Sequence, residues 1–276
     1  LHTIKRWGRF NHNVHLNYLL TKLKSSFQNR RKILTKTHNK QSGFTLVELA
    51  IVMIIIGLLI GGILKGQELI ANAQTTATIA QIKAFDGAMS SFRYKYSAVP
   101  GDMANAGARL ANCANSCDTG PAAGALGDGR ITAANINVLP AVGSEGVRAF
   151  THMAAADLIS GIDTDFDGAV TNNFGDGLPE AEIGGGYWAG YDGTGTVGGV
   201  INARRGTYLV LTGLAVDTAT GAGIPAVRAG QIDRKIDDGV PATGDVRSSG
   251  GTCVAAGAYD ESAQASECDV FIRIQG

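Results

Sequence analysis

The sequence predicts an α+β fold: a long N-terminal helix, membrane-spanning in its first half and amphipathic in its second, packed on a small Gly-rich antiparallel β-sheet domain. Three observations predict it. Residues 44–64 form an apolar run of 21 in which only Thr45 and Glu48 are polar. An apolar stripe at helical spacing continues from there to Tyr96. Glycine then becomes frequent: the chain of 276 residues holds 38, about twice the usual share, and most of them follow Gly101. That composition suits turns between short strands.

The charge balance divides the chain before any element is considered. Residues 1–43 carry ten Lys or Arg and no Asp or Glu. Removing those ten from the 24 basic side chains leaves 14, against all 24 acidic ones, in residues 44–276, a net of −10. A basic flank before an apolar span stays in the cytoplasm by the positive-inside rule, so the acidic remainder is expected across the membrane. General nucleic-acid binding by that remainder is disfavoured, because such affinity rests on neutralising phosphates with Lys and Arg.

At about 1.5 Å per residue, the run from Phe44 to Leu64 spans roughly 31 Å, the thickness of a hydrocarbon core. A cleavable secretory signal is the rival, with Ala71 to Ala73 (ANA) as a small-residue cut site, but its apolar core would be shorter and free of carboxylates. Past Lys65, the positions Ile79, Ile82, Phe85, Met89, Phe92 and Tyr96 fall on one helical face. Gln74, Thr76, Gln81, Lys83, Ser90 and Lys95 form the opposite, polar face. The sequence VPGD, Val99 to Asp102, ends the helix, since Pro100 cannot continue it. Gly57, Gly61, Gly62 and Gly66 weaken its middle by about 1 kcal/mol each against Ala. A lone carboxylate in hydrocarbon costs on the order of 3 kcal/mol at mid-helix and usually marks function, which singles out Glu48. The alternative is a shallow Glu that snorkels to the interface.

The leader ending in Gly43, then Phe44 to Glu48 (FTLVE), then the apolar run resembles the class III signal of type IV prepilins and type II secretion pseudopilins, over residues 40 to about 97. Three later segments, SEGVRAFTHMAAADLISG, IDRKIDDGVPATGDV and CDVFIRI, are similar to pilin-like proteins of Gram-negative bacteria. The resemblance implies that a prepilin peptidase cuts between Gly43 and Phe44 and that the new Phe44 amine is methylated. It further implies partners: other pilin subunits, and an inner-membrane assembly platform with a separate ATPase, because this chain has no GxxxxGK[ST] loop. Glu48 would pair with the Phe44 amine of its own chain or of a neighbouring subunit, setting axial register. The leader is longer than is usual for the family, and Lys65 stands near where many members have Pro. A start at Leu34 would give a leader of family length. On this reading residues 1–43 are a cytoplasmic leader that is removed and 44–64 the span. Residues 65–100 continue the helix, and 101–276 form the globular domain in the periplasm or on the cell surface. The runner-up is an unprocessed, membrane-anchored periplasmic protein binding calcium or glycan.

Cys113, Cys117, Cys253 and Cys268 all lie in the exported part, which favours disulfides. Four cysteines allow three pairings. The local pairs Cys113 with Cys117 and Cys253 with Cys268 are preferred, the second fastening a terminal strand as C-terminal loops do in many pilins. Zinc lacks its usual spacing. Asp163, Asp165 and Asp167 begin like a calcium loop, but Phe174 stands where an EF-hand needs Glu. Asp233, Asp237 and Asp238 are a weaker acidic cluster. Tyr187, Trp188 and Tyr191 are expected on a glycine-rich loop, as packed aromatics or as a surface or sugar contact. A short helix is expected from Ser144 to Ser160, with Val147, Phe150, Ala154 and Leu158 buried. Strands are expected at TYLVLTGLAV and CDVFIRI. His152, the one histidine after Gly43, has no nucleophile or metal motif around it and reads as a partly exposed helical residue. No enzymatic activity is expected.

Overall fold

The computed structural model describes residues 45–113, 117, 126–132, 136–162, 173–213, 223–262 and 266–274. Gly43, Phe44, Asp163, Asp165, Asp167 and the leader lie outside these residues. By chain contacts there are two compact units, residues 1–60 and 61–276. Helix α1, Leu46–Tyr96, is one continuous element of 51 residues. Its first part is the described portion of the first unit, and the rest belongs to the second.

In the second unit, α1 buries Thr75, Thr78, Ile79, Ile82, Phe85, Ala88, Met89 and Phe92. The stripe is the expected one from Ile79 to Phe92, widened by Thr75, Thr78 and Ala88, whereas Tyr96 is only half-buried. Helix α2 is the single turn Ala106–Arg109, and helix α3 spans Glu145–Ala155. A five-stranded antiparallel sheet follows from β1, Gly186–Asp192, β4, Gly206–Thr212, β5, Ile224–Pro225, β6, Val246–Ser249, and β9, Ser266–Ile274. Strand β9 is its axis. It pairs with β4 on one side and with β5 and β6 on the other. Short hairpins complete the sheets, β2, Thr196–Val197, with β3, Val200–Ile201, and β7, Val254–Ala255, with β8, Ala258–Tyr259. Helix α4, Ala226–Ile236, follows β5 directly.

Tyr208, Leu209, Val210 and Leu211 in β4 are all fully buried, as expected of a strand covered on both faces. On one face, Phe85 of α1 meets Phe150 of α3 and Tyr187 of β1 edge-on, at 5.5 and 5.2 Å between ring centroids. Such pairs add about 0.5–1.5 kcal/mol beyond area burial. The turn between β2 and β3 covers the other face. A Cβ on Gly198 would stand 2.4 Å from Ser249 Oγ and 2.6 Å from the Phe271 ring, so only glycine fits.

Several expectations are corrected by this packing. Gln81 is not on a solvent face: its Oε1 accepts from Tyr187 Oη at 3.1 Å and from the Glu182 amide at 3.3 Å, and its Nε2 donates to the Glu180 carbonyl at 3.4 Å. It anchors the segment that leads into β1. The aromatic sequence is a strand rather than a loop, with Tyr187 fully buried and Trp188 nearly so. Helix α3 stops at Ala155 rather than Ser160, because Asp157 adopts a positive φ of 60°. Leu158 is half-buried beyond its end, and Ala154 is half-buried rather than buried. Residues 214–216 of the expected strand lie outside the described residues.

His152 is also corrected, from partly exposed to fully buried. Its Nδ1 accepts the Gly101 amide at 2.9 Å, and its Nε2 lies 3.4 Å from the Cys117 carbonyl. The ring thus ties the turn after α1 to α3. Helix α1 ends at Tyr96, with Ser97 at φ 51° and its amide bonded to the Arg93 carbonyl. Gly101 must be glycine: φ is +89°, and a Cβ would stand 2.2 Å from the Glu145 carbonyl oxygen.

Helix α4 is held to α1 by a polar seam. Arg228 donates to the Ala71 carbonyl and to Thr75 Oγ1, Thr75 Oγ1 donates to Gln231 Oε1, and Lys235 donates to Thr76 Oγ1. Disulfides join Cys113 to Cys117 and Cys253 to Cys268. The second fixes the loop before β7 to the central strand.

Two measurements on the full chain in detergent check this description. The Cys253–Cys268 bridge spans 15 residues, so the Cys253→Ser/Cys268→Ser variant is expected to lose about 3 kcal/mol in urea unfolding. The shorter Cys113–Cys117 loop should cost less, and equal losses would contradict this. Separately, burial raises the Asp269 carboxyl above the ordinary aspartate range, partly offset by the hydroxyl of Thr212, which donates to it at 2.6 Å. The folded state therefore holds this proton more tightly than the unfolded chain. Stability from this group is fullest below the ordinary range and falls as pH rises through the raised value. Asp269→Asn keeps an acceptor for Thr212 and is expected to stabilise at neutral pH but not in acid, read from urea midpoints at both. A pH-independent gain would contradict it.

Candidate functional site

The first unit contains the segment the sequence singled out. Its large apolar side chains are all exposed, from Leu46 at 88% to Leu58 at 73% and Ile60 at 54%. An 18-residue window of α1 reaches a mean hydropathy of 2.8 and is wholly unburied, so the helix is long and apolar enough to cross a membrane. An ordinary core helix would be mostly covered. In the second unit, the exposed pair Lys65 and Glu68, 2.6 Å apart, brings the first charges after the run.

The start of α1 has a specific geometry. Thr45 Oγ1 accepts the Glu48 amide at 3.2 Å, while Glu48 Oε2 accepts the Thr45 amide at 2.8 Å and the Thr45 hydroxyl at 2.9 Å. This is a capping box, S/T-x-x-E, in which N-cap and third helical residue satisfy each other's orphan backbone donors. Such donors would otherwise be costly at the edge of a bilayer. The T-x-x-E spacing was visible in the sequence.

The box leaves Glu48 with capacity to spare. Both side-chain bonds fall on Oε2, and among the described residues Oε1 accepts none. Residue 44 directly precedes the amide that Glu48 already holds. A carboxylate placed there can cap its own helix and attract a cationic group at the same helix end.

The remaining candidates have other uses. The carboxylates of Asp233, Asp237 and Asp238 lie within 4.8 Å of one another, and each closes the loop into β6. Asp233 accepts from the Gly239 amide and Tyr259 Oη, Asp237 from the Asp245 and Val246 amides, and Asp238 from the Val240 amide and Thr243 hydroxyl. Burial raises the Asp233 carboxyl, whereas the Thr243 and Val240 donors lower that of Asp238. Tyr259 also meets Ser248 Oγ at 2.9 Å, and burial pushes its phenol up. These groups form a loop staple between α4 and β6. Tyr191, half-buried, carries the Arg130 guanidinium 5.0 Å over its ring.

Comparison with known proteins bears on the N-terminal segment. Residues 38–64, about a tenth of the chain, match the family model described as the prokaryotic N-terminal methylation motif. No curated protein and no solved structure matches the chain. The segment bracketing Gly43, Phe44, Thr45 and Glu48 is a class III, prepilin-type methylation signal, and in this respect the chain is like the type IV pilins and pseudopilins.

Proposed function

We propose that this chain is a structural subunit, a pilin or minor pilin, of a type IV pilus or related secretion pseudopilus. The observation that carries the reading is the continuity of the methylation signal with an uncovered apolar helix that turns into the core of a folded domain. Prepilin peptidase removes residues 1–43, and the new Phe44 amine is methylated. The apolar half of α1 holds the subunit in the inner membrane by a single pass, with the disulfide-bonded domain on the far side. Assembly then exchanges lipid for the same segments of other subunits. An inner-membrane platform with a separate ATPase drives that exchange, and the product is a periplasmic or surface filament.

Glu48 carries assembly in this proposal. Through Oε2 it keeps the helix start capped, and its charge pairs with the Phe44 amine of the incoming or preceding subunit. In a low-dielectric bundle an unpaired charge is strongly disfavoured, so only the register that makes the pair is accepted. The amine, with a reference pKa near 8, is cationic at neutral pH.

Processing and assembly are separable by variant. Replacing Gly43 by a bulky residue is expected to leave an uncut precursor in the membrane, detected by size. A normally trimmed product would contradict the cleavage site.

At position 48 the capping box allows a finer test. Glu48→Gln keeps a capping acceptor but removes the charge, whereas Thr45→Ala weakens the cap by about 0.5–2 kcal/mol and leaves the charge. With each variant as the only copy, Glu48→Gln and Glu48→Leu are expected to be processed yet absent from sheared filaments. Thr45→Ala is expected to assemble. Normal incorporation of Glu48→Gln would mean that the carboxylate serves only the cap.

A further inference from the structure

Gly101 and Asp102 form a hub where α1 ends. The Gly101 amide donates to His152 Nδ1 at 2.9 Å, and the two oxygens of Asp102 accept the Gly127 and Gly129 amides at 2.6 Å. Glu145, at the start of α3, accepts the Thr132 amide through Oε2. Three side chains that can change their charge therefore tie together the turn after α1, helix α3 and residues 126–132. All are buried, His152 at 0% exposure and the two acids at 2%.

His152 differs from the acids in what a proton does to its bond. A protonated carboxyl group still has an oxygen that can accept an amide, whereas Nδ1 accepts only while it carries a lone pair. Accepting from Gly101 fixes the neutral tautomer with the ring proton on Nε2, which lies 3.4 Å from the Cys117 carbonyl. A proton added at Nδ1 would face the Gly101 N–H, donor against donor. The backbone has no room to absorb that locally. A Cβ on Gly101 would stand 2.2 Å from the Glu145 carbonyl oxygen and 3.0 Å from the Ala149 nitrogen, so the turn lies directly on the α3 backbone. The ring itself is stacked on buried Phe92, 6.2 Å between centroids.

Charged groups stand on every element around the ring, and their bonds lead elsewhere. Arg109 of α2 donates to the Tyr96 carbonyl, Arg148 of α3 donates to that of Gly143, and Lys95 of α1 lies over the Tyr96 ring. In residues 126–132, Arg130 lies over Tyr191 and Asp128 accepts the Arg130 amide. Arg93 of α1 adds a further positive charge. These cations oppose an imidazolium, as does burial. Asp102 and Glu145 favour one, but they are committed to the amides of residues 127–132. Burial raises the Glu145 carboxyl above the ordinary glutamate range. Its titration favours the closed fold as pH falls and so cannot mimic a loss of structure in acid.

We propose that His152 is a pH-sensitive clasp on the end of α1: gaining a proton in mild acid, it releases the Gly101 turn from α3 and loosens the hold of Asp102 on residues 126–132. The opened chain binds this proton near pH 6.5, and the closed clasp excludes it. Closure is therefore strongest above that value and weakens as pH falls through it. His152 is the one histidine of residues 44–276, and histidine is the side chain whose ordinary charge change falls between pH 5 and 8. The clasp is a property of the fold and stands apart from the filament reading.

The test is hydrogen exchange of the full chain in non-ionic detergent, read by mass spectrometry at pH 7.5 and 5.5 and corrected for intrinsic exchange rates. Expected at pH 5.5, a decade of proton concentration below the ordinary histidine value, is a loss of protection of about tenfold in peptides covering Gly101 and residues 126–132. Strands β4 and β9 should keep theirs. His152→Asn puts a non-titrating acceptor near the place of Nδ1 and is expected to abolish the pH response. A second measurement does not depend on that variant folding. Replacing His2, His12, His15 and His38 by Gln leaves His152 as the one imidazole, and its nitrogen shifts should show the Nε2–H tautomer at pH 7.5 and an imidazolium only together with lost protection. Protection at Gly101 that is independent of pH, an Nδ1–H tautomer at pH 7.5, an imidazolium with Gly101 still protected, or an undiminished pH response in folded His152→Asn would each overturn the proposal.

Discussion

The exposed apolar half of α1 is the constraint on which the rest depends. Every large apolar side chain from Leu46 to Leu64 lacks cover in the protein itself. Leaving such a side chain in water forgoes roughly 1.5–3 kcal/mol. Summed over the segment, this exceeds the ~5–15 kcal/mol by which a domain is stable. The segment needs a second apolar medium, and a bilayer fits its length; in the proposed filament a bundle of the same helices is the other. The same helix then changes solvent: after Gln74, the buried side chains are those that hold α3 and the sheet.

Glu48 gains its meaning from this constraint. In water, a capping box at a helix start would be an ordinary local device. At a membrane edge, the same bonds remove orphan amides that lipid cannot satisfy. In the proposed subunit they also hold the carboxylate beside the position where cleavage would create an amine, so that local structure and assembly chemistry converge on one side chain. The four glycines in the middle of α1 have no comparable explanation within the chain, since a Cβ at Gly57, Gly61, Gly62 or Gly66 would meet nothing within 4 Å.

Much of the fold was legible in the sequence because it follows from short-range periodicity. The spacing of Ile79, Ile82, Phe85, Met89 and Phe92 gave the buried face of α1, and the apolar runs of β4 and β9 gave the strands around which the sheet forms. What escaped depends on partners distant in sequence. Gln81 looks solvent-facing on a helical wheel, yet it bonds residues about a hundred positions away. His152 is buried because a turn amide 51 residues earlier requires an acceptor. The flanking glycines made Tyr187 and Trp188 read as a loop, whereas they allow close approach of the chain beside β1.

The central claim is that the apolar half of α1 is kept in the mature protein and begins at Phe44. Intact mass and N-terminal fragment analysis of the chain extracted from native membranes tests it most directly. Expected is a single mature species beginning with N-methylated Phe44 and containing the whole run to Leu64. A species that begins at Gln74, after a cut behind Ala73, or one that still carries Gly43, would contradict it.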